Sequence, residues 1–330
     1  MKSKATLTEI AEKAGVSIAT VSRILNDTGR VSPATRQKVH EAIRELEYGS
    51  SLQRQMPLYQ TILCLVPDFY NPFYAGIIEG AQTIARAGGF ELFLMPTGDN
   101  YPNPAALTNM IRREGFSGVL WLSATPGTDL LSLVAQHCPM VMVGEYPEDF
   151  PCSYVSIDDV TAAYRAANYL ITSGCRRIGM LNCSVKYKYA RHRLQGFRQA
   201  LEHSGLLFNP DWYASVPSID YTLAYSAAIQ LLHSDPAPDA IFACSDVLAA
   251  AVINAAQTMN IRVPEDLSVI GFDNVVTSQI TKPAITTIAQ PCFQLGQQAC
   301  SILLEKILYP EVPDRHTLLS TEMIIRESSR

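Results

Sequence analysis

No stretch of this 330-residue sequence comes near the run of about twenty uncharged apolar side chains that a membrane span requires. The polar opening MKSKATLTEIAEKAG also lacks the apolar core of a secretion signal. Both absences lead us to expect a cytoplasmic protein with no membrane partner. Cys64, Cys138, Cys152, Cys175, Cys183, Cys244, Cys292 and Cys300 are scattered, with no C-x-x-C pair and no histidine at metal-ligand spacing. That excludes a zinc motif and a disulfide scaffold, and leaves the thiols as reduced, small apolar residues. Nor is there a G-x-S-x-G elbow, a P-loop, an H-E-x-x-H pair or a dinucleotide G-x-G-x-x-G, so neither an enzyme nor a cofactor or metal is expected.

What is present is a chain too long for one ordinary domain, with 48% hydrophobic residues, enough for more than one core. Its net charge of −5 is uneven: through residue 60 nine basic side chains face six acidic ones, which leaves −8 on the remainder. A basic head on an acidic body suits a polyanionic partner for the head alone.

The head reads as three short helices. Leu7, Ile10, Ala11 and Ala14 form one apolar stripe, preceded by Thr6 and Glu9 at capping-box spacing, and Gly15 stops the helix. Ser17 can cap a second helix whose inward residues are Val21, Ile24 and Leu25, leaving Ile18, Ala19, Ser22 and Arg23 outward. Ser32 and Pro33 open a third, with Val39, Ala42, Ile43 and Leu46 as its stripe. Three helices with a tight glycine turn between the first two describe a helix-turn-helix, although a plain helical bundle has the same spacing.

After a polar segment, GSSLQRQMPLYQ, short apolar runs alternate with helical patterns. The runs are ILCLV at 62–66, FELFLM at 90–95, GVLWL at 118–122, MVMVG at 140–144, RIGML at 177–181, AIFAC at 240–244 and LSVIG at 267–271. Such alternation predicts parallel sheets flanked by helices, with ligands bound beyond the carboxyl ends of the strands. The residues there include Asn71, Phe73 and Tyr74 in DFYNPFY, then Asp158 and Asp159, Asn182 and Cys183, Ser245 and Asp246, and Asp273 in FDN. Carboxylates and amides suit vicinal hydroxyls and aromatic faces suit a sugar or base, although Asp and Asn serve equally as caps.

The run LTEIAEKAGVSIATVSRILNDTGRVSPATRQKVHEAIRELEY resembles the headpiece of the lactose-repressor/galactose-repressor family. The likeness continues through HRLQGFRQAL, PDAIFACSDVLAAAV, VPEDLSVIGFDN, PAITTIAQP and EMIIRESSR, and is strongest toward nucleoside-responsive members. It implies an α/β fold: a three-helix headpiece at 1–47, a hinge at 48–60 and a two-lobed core at 61–330, like that of periplasmic binding proteins. Lobe 1 would hold about 61–160 and 290–320, and lobe 2 about 161–289 and 321–330.

Carried over, Ser17 starts a recognition helix lying in the major groove. Ile18 and Ala19 would meet base edges, Arg23 would fork onto guanine unless it pairs with Asp27, and Thr20 and Ser22 would touch phosphates. Leu52 is either the hinge side chain that family members wedge into the minor groove or an ordinary linker apolar residue, since the segment departs from their alanine-rich pattern. In the core, the resemblance makes Arg193 and Asp273 the charged pair that holds effector hydroxyls or a carboxylate, with Phe73 and Tyr74 as an aromatic wall. Ile219 and Tyr187 stand where a purine-binding member has a stacking ring and an arginine, which disfavours a purine base and leaves a sugar or nucleoside.

The expected protein is therefore a repressor, acting as a homodimer on a palindromic double-stranded operator, with a small metabolite controlling its DNA affinity. An uptake protein of the same two-lobed build would need export and no helix-turn-helix. No heptad tail follows ESSR, which argues against tetramers. Leu295, Ala299, Ile302 and Leu303 form a stripe that fits either a dimer contact or plain core.

Overall fold

The computed structural model describes residues 7–25, 31–45, 60–98, 103–122 and 127–330. The chain divides into two compact units, Met1–Gln60 and Thr61–Arg330.

The first unit holds α1 (Leu7–Ala14), α2 (Ile18–Leu25) and α3 (Pro33–Glu45). Gly15, at φ +66°, closes α1, and the Val16 amide returns to the Ala11 carbonyl at 3.0 Å. The Ser17 and Ser32 hydroxyls each accept the amide three residues on, from Thr20 and Thr35, at 3.2 Å. Ile10, Ala11, Val21, Ile24 and Val39 close a small core. The Thr6–Glu9 capping pair, Asp27, Leu46 and the hinge candidate Leu52 fall outside the described residues or side chains.

The second unit is built on two six-stranded sheets. One runs β11 (His316–Leu319), β5 (Ser153–Ile157), β4 (Met140–Val143), β3 (Gly118–Trp121), β1 (Gln60–Val66) and β2 (Phe90–Pro96). The other runs β12 (Glu322–Ile324), β10 (Thr286–Ala289), β9 (Ser268–Asp273), β8 (Ala240–Ala243), β6 (Ile178–Cys183) and β7 (Tyr213–Val216). In the first sheet β1 with β3, β3 with β4, β4 with β5 and β5 with β11 pair in parallel; in the second β6 with β7 and β8, β8 with β9 and β9 with β10 do so, and β10 with β12 is antiparallel. The chain crosses between sheets three times: after β5, after β10 and between β11 and β12.

Helices cover both sheets, and in each lobe one helix pair crosses with its backbones nearly touching. In the first lobe α4 (Phe73–Ala87) packs on α12 (Cys292–Leu308), and a Cβ on Gly296 would sit 1.9 Å from the Ile77 carbonyl oxygen. In the second, α7 (Asp159–Thr172) packs on α8 (Lys188–His203), and a Cβ on Gly196 would sit 2.1 Å from the Val160 carbonyl oxygen. Only glycine permits these approaches. Leu295, Ala299, Ile302 and Leu303 on α12 are all buried within the subunit. The stripe is core, and no dimer contact can be read from it.

All eight cysteines are free and seven are buried. Among the described residues no helix is long and apolar enough to cross a membrane.

Candidate effector site and DNA-binding face

Parallel pairing brings the carboxyl ends of the strands in each sheet to one edge, and between the two sheets lies a cleft. From the first lobe it is lined by Asn71, Phe73 and Tyr74 at the start of α4, by Glu145 just past β4 and by Ser156 on β5. From the second lobe come Tyr189 and Arg193 on α8, Ile219, Asp273 at the end of β9 and Gln290. Asp159 enters from the first residue of α7, where the chain crosses between lobes.

Arg193 is the centre of this site, only 4% exposed. Its Nε donates to Asp159 Oδ1 at 2.9 Å, Nη1 donates to the Cys244 carbonyl at 2.5 Å, and Nη1 lies 3.6 Å from Asp273 Oδ1. The guanidinium stacks on Phe272 at 3.5 Å and lies 5.0 Å from the Tyr189 ring. Burial alone would weaken its hold on the proton, but Asp159 and Asp273 outweigh that and keep it charged.

Asp273 is buried too, and the burial pushes its carboxyl up to about 6 against the pull of Arg193. It stands at φ +107°, a conformation that side-chain-bearing residues seldom adopt. The register that sets Ala289 opposite Asp273 brings Gln290 alongside, and its amide donates to Asp273 Oδ1 at 2.7 Å.

Glu145 joins the lobes. Its two carboxylate oxygens accept the backbone amides of Lys188 and Tyr189, each at 2.9 Å, so a side chain of the first lobe caps α8 of the second. Burial raises its pKa, while Lys188 and the two amides oppose the rise. Lys188 is buried as well, with Nζ 3.1 Å from Asp159 Oδ2 and 4.5 Å from the centre of the Tyr146 ring. A second contact, His192 Nε2 to Glu148 Oε1 at 3.1 Å, also bridges the lobes.

The structure brings Asn71, Phe73, Tyr74, Arg193, Ile219 and Asp273 into one cleft. It does not bring Asp158, Tyr187 or Asp246 there. The Asp158 carboxylate takes the Thr161 amide at 3.0 Å and its hydroxyl at 2.6 Å, capping α7, while its neighbour Asp159 turns inward. Tyr187 is the N-cap residue of α8 and stacks on Tyr189, which forms the wall instead. Asp246 accepts the Thr287 hydroxyl at 2.6 Å and the Val275 amide at 2.8 Å beneath the site. Asp159, noted with Asp158 beyond a strand end, and Tyr189, the alternative to Tyr187 as a stacking face, do line the cleft, and Glu145 and Gln290 complete the lining without having been singled out as site residues. For Glu145 a signal existed: it follows the run MVMVG, where the strand-end rule directs attention.

In the head, Val21 and Ile24 on α2 face the core, whereas Ile18 is 47% exposed and Ala19 and Arg23 are exposed. Thr20 and Ser22 are half-buried at the margin, and Ser17 is exposed at the helix start. One face of α2 thus carries two apolar side chains and the helix's single cation.

A helix-turn-helix in one chain with a two-lobed core and a cleft between the lobes defines a ligand-responsive transcription regulator. Residues 6–51 match the family described as bacterial regulatory proteins, lacI family, and residues 167–329 match the periplasmic binding protein-like domain. The chain is 35% identical over 332 residues to the HTH-type transcriptional repressor CytR of Escherichia coli (strain K12), covering 99% of this chain and 96% of that protein. Among solved structures it resembles the transcriptional regulator CelR in complex with cellobiose, at 31% identity and a TM-score of 0.76, covering 98% of this chain and 99% of that one. A LacI family transcriptional regulator from Enterococcus faecium with bound ribose is 28% identical, with a TM-score of 0.73, over 82% of this chain and 98% of that one. The chain belongs to the lacI family of bacterial regulatory proteins: it is a DNA-binding regulator with an effector-binding core.

Proposed function

We propose that this protein is a cytoplasmic, non-enzymatic repressor, a homodimer on a palindromic operator, whose DNA affinity is set by a sugar or nucleoside bound in the cleft. The observation that carries this reading is the buried Arg193, held between Asp159 and Asp273 within a cleft walled by Phe73, Tyr74 and Tyr189. Hydroxyls are the natural partners of such a carboxylate and amide set, and aromatic walls accept the apolar face of a sugar ring. We assign residues 1–47 to DNA binding, with Ser17, Ile18, Ala19, Thr20, Ser22 and Arg23 at the interface. Residues 48–60, including Leu52, form the hinge, and 61–330 the two lobes described above. Because Glu145 and Glu148 on one lobe grip α8 on the other, a ligand that changes lobe closure acts on the geometry of the whole core.

The test is to select operator fragments from random DNA with the purified protein and titrate them with and without sugars and nucleosides. A bound ligand should raise the melting temperature and shift operator affinity by about tenfold, a coupling of about 1.4 kcal/mol. A ligand that binds the cleft and leaves operator affinity untouched would overturn the reading.

The Asp273 carboxyl adds a pH signature. Effector hydroxyls donate to the ionised carboxylate, so effector affinity is expected to fall about tenfold per pH unit once the pH drops below about 6. Stability responds the other way. Because the folded-state pKa of this group is raised above its ordinary 3.8, the folded protein holds a proton that the unfolded chain has released across that window. Acidification through it therefore stabilises the apo fold. Calorimetric titration and urea unfolding across pH 5–7 check both signs.

A further inference from the structure

We propose that the cleft admits only the uncharged form of its effector and rejects the phosphate ester, with Glu145 as the residue that sets this selection. The proposal rests on the effector reading above and narrows its ligand class.

A phosphorylated ligand needs either an available cation or an open helix N-terminus. The cleft offers neither. The Arg193 guanidinium is engaged by Asp159, Asp273 and the Cys244 carbonyl, with Phe272 against its face. The Lys188 ammonium, 2% exposed, is engaged by Asp159 and the Tyr146 ring. Three helices start at the cleft, and their first amides are taken: at α8 Glu145 occupies those of Lys188 and Tyr189, at α7 Asp158 takes that of Thr161, and at α4 the Phe73 amide goes to Asn71 Oδ1 at 3.1 Å and the Tyr74 amide to the Asn71 carbonyl at 3.4 Å. The protein has placed its own carboxylate where a ligand phosphate would go.

The charges at the site then leave an excess of one negative: Glu145, Asp159 and Asp273 against Arg193 and Lys188. A phosphate ester carries a further charge of about −1.5 to −2 into a poorly solvated space already negative. An uncharged polyol meets none of this. Its hydroxyls donate to Asp273 and Glu145, Asn71 and Gln290 add amide partners, and Tyr189 offers a stacking face.

The test compares matched pairs by titration calorimetry on the full-length protein: D-ribose with ribose 5-phosphate, D-glucose with glucose 6-phosphate, and cytidine and adenosine each with its monophosphate. The member that binds should be uncharged, with its phosphate ester about 30-fold weaker or worse. Two variants read the cause. Glu145→Gln removes the excess charge, and Gln290→Lys adds a cation beside Asp273 without disturbing the α8 cap. Each should narrow the gap to under about tenfold, and the second keeps the test valid if the first fails to fold. A phosphate ester bound as tightly as its parent overturns the charge selection and leaves the effector reading intact, as does a gap that neither variant changes. Binding of no member of either series at up to about 10 mM overturns the effector reading and this proposal with it.

Discussion

Replacing Arg193 with alanine is expected to lower the stability of the folded core by about 3–5 kcal/mol and to abolish the effector response. The magnitude follows from what remains. Asp159 keeps Lys188 as a partner at 3.1 Å, but Asp273 loses the guanidinium beside it and keeps the Gln290 amide. Its desolvation is then uncompensated, and the aromatic face of Phe272 loses the guanidinium stacked on it. Adding Asp273→Asn to the variant removes the orphaned charge, so the double variant should recover a large part of the loss while still failing to bind effector. Urea unfolding of the wild type, both single variants and the double gives the coupling directly. If Arg193→Ala unfolds within about 0.5 kcal/mol of the wild type, the buried charge network is not what holds the second lobe's side of the cleft.

What could be read in the sequence and what could not divide along physical lines. Ser17 and Ser32 cap helices through interactions spanning three residues, and such local rules are visible in the order of the residues. The seven apolar runs singled out all became strands; six of them are buried on both faces, where a parallel strand must be apolar throughout, and the seventh, β2, is an edge strand with Phe93 and Leu94 exposed. The strands that went unread are short, polar or at edges. In β5, Ser153 and Ser156 are buried because their hydroxyls find Asp314 at 2.9 Å and the Gly144 carbonyl at 2.7 Å. In β10, Thr286 and Thr287 are buried on Ser329 and Asp246. Those partners lie far away in the chain, so nothing local marks the segments as strands.

The site was legible to within one or two residues. Asp158 and Asp159 are both carboxylates after a strand, and which one caps α7 is decided by the turn that gives Asp158 the Thr161 amide. Tyr187 and Tyr189 are separated likewise, one at the N-cap and one on the first turn of α8. The resemblance supplied Arg193 and Asp273, but it could not supply the role of Glu145, which exists only once α8 of the other lobe is brought to it. Position along a strand locates a cleft. Which neighbouring side chain enters it depends on packing between lobes.

On the DNA side, Arg23→Ala is expected to weaken specific operator binding by about 1–3 kcal/mol per half-site, about 2–6 kcal/mol over the two half-sites of a dimer, while leaving the melting temperature unchanged. Arg23 is exposed on α2, opposite the buried Val21 and Ile24, so truncating it costs the fold nothing. It is also the only cation on that helix, and its neighbours Ile18 and Ala19 can offer bases nothing but apolar contact. Under the proposed recognition-helix assignment, most of the directional readout is therefore expected to fall to one planar fork. Arg23→Lys keeps the charge and loses the fork, which separates phosphate attraction from base recognition. If Arg23 reads guanine, the lysine variant should retain nonspecific affinity and its salt dependence yet lose discrimination between operator and random DNA. If Arg23 only pairs with phosphate, lysine should restore both, and the alanine variant should weaken all sequences alike with the specificity ratio preserved. Anisotropy titrations of the three proteins on operator and scrambled duplexes, each at two salt concentrations, distinguish these outcomes.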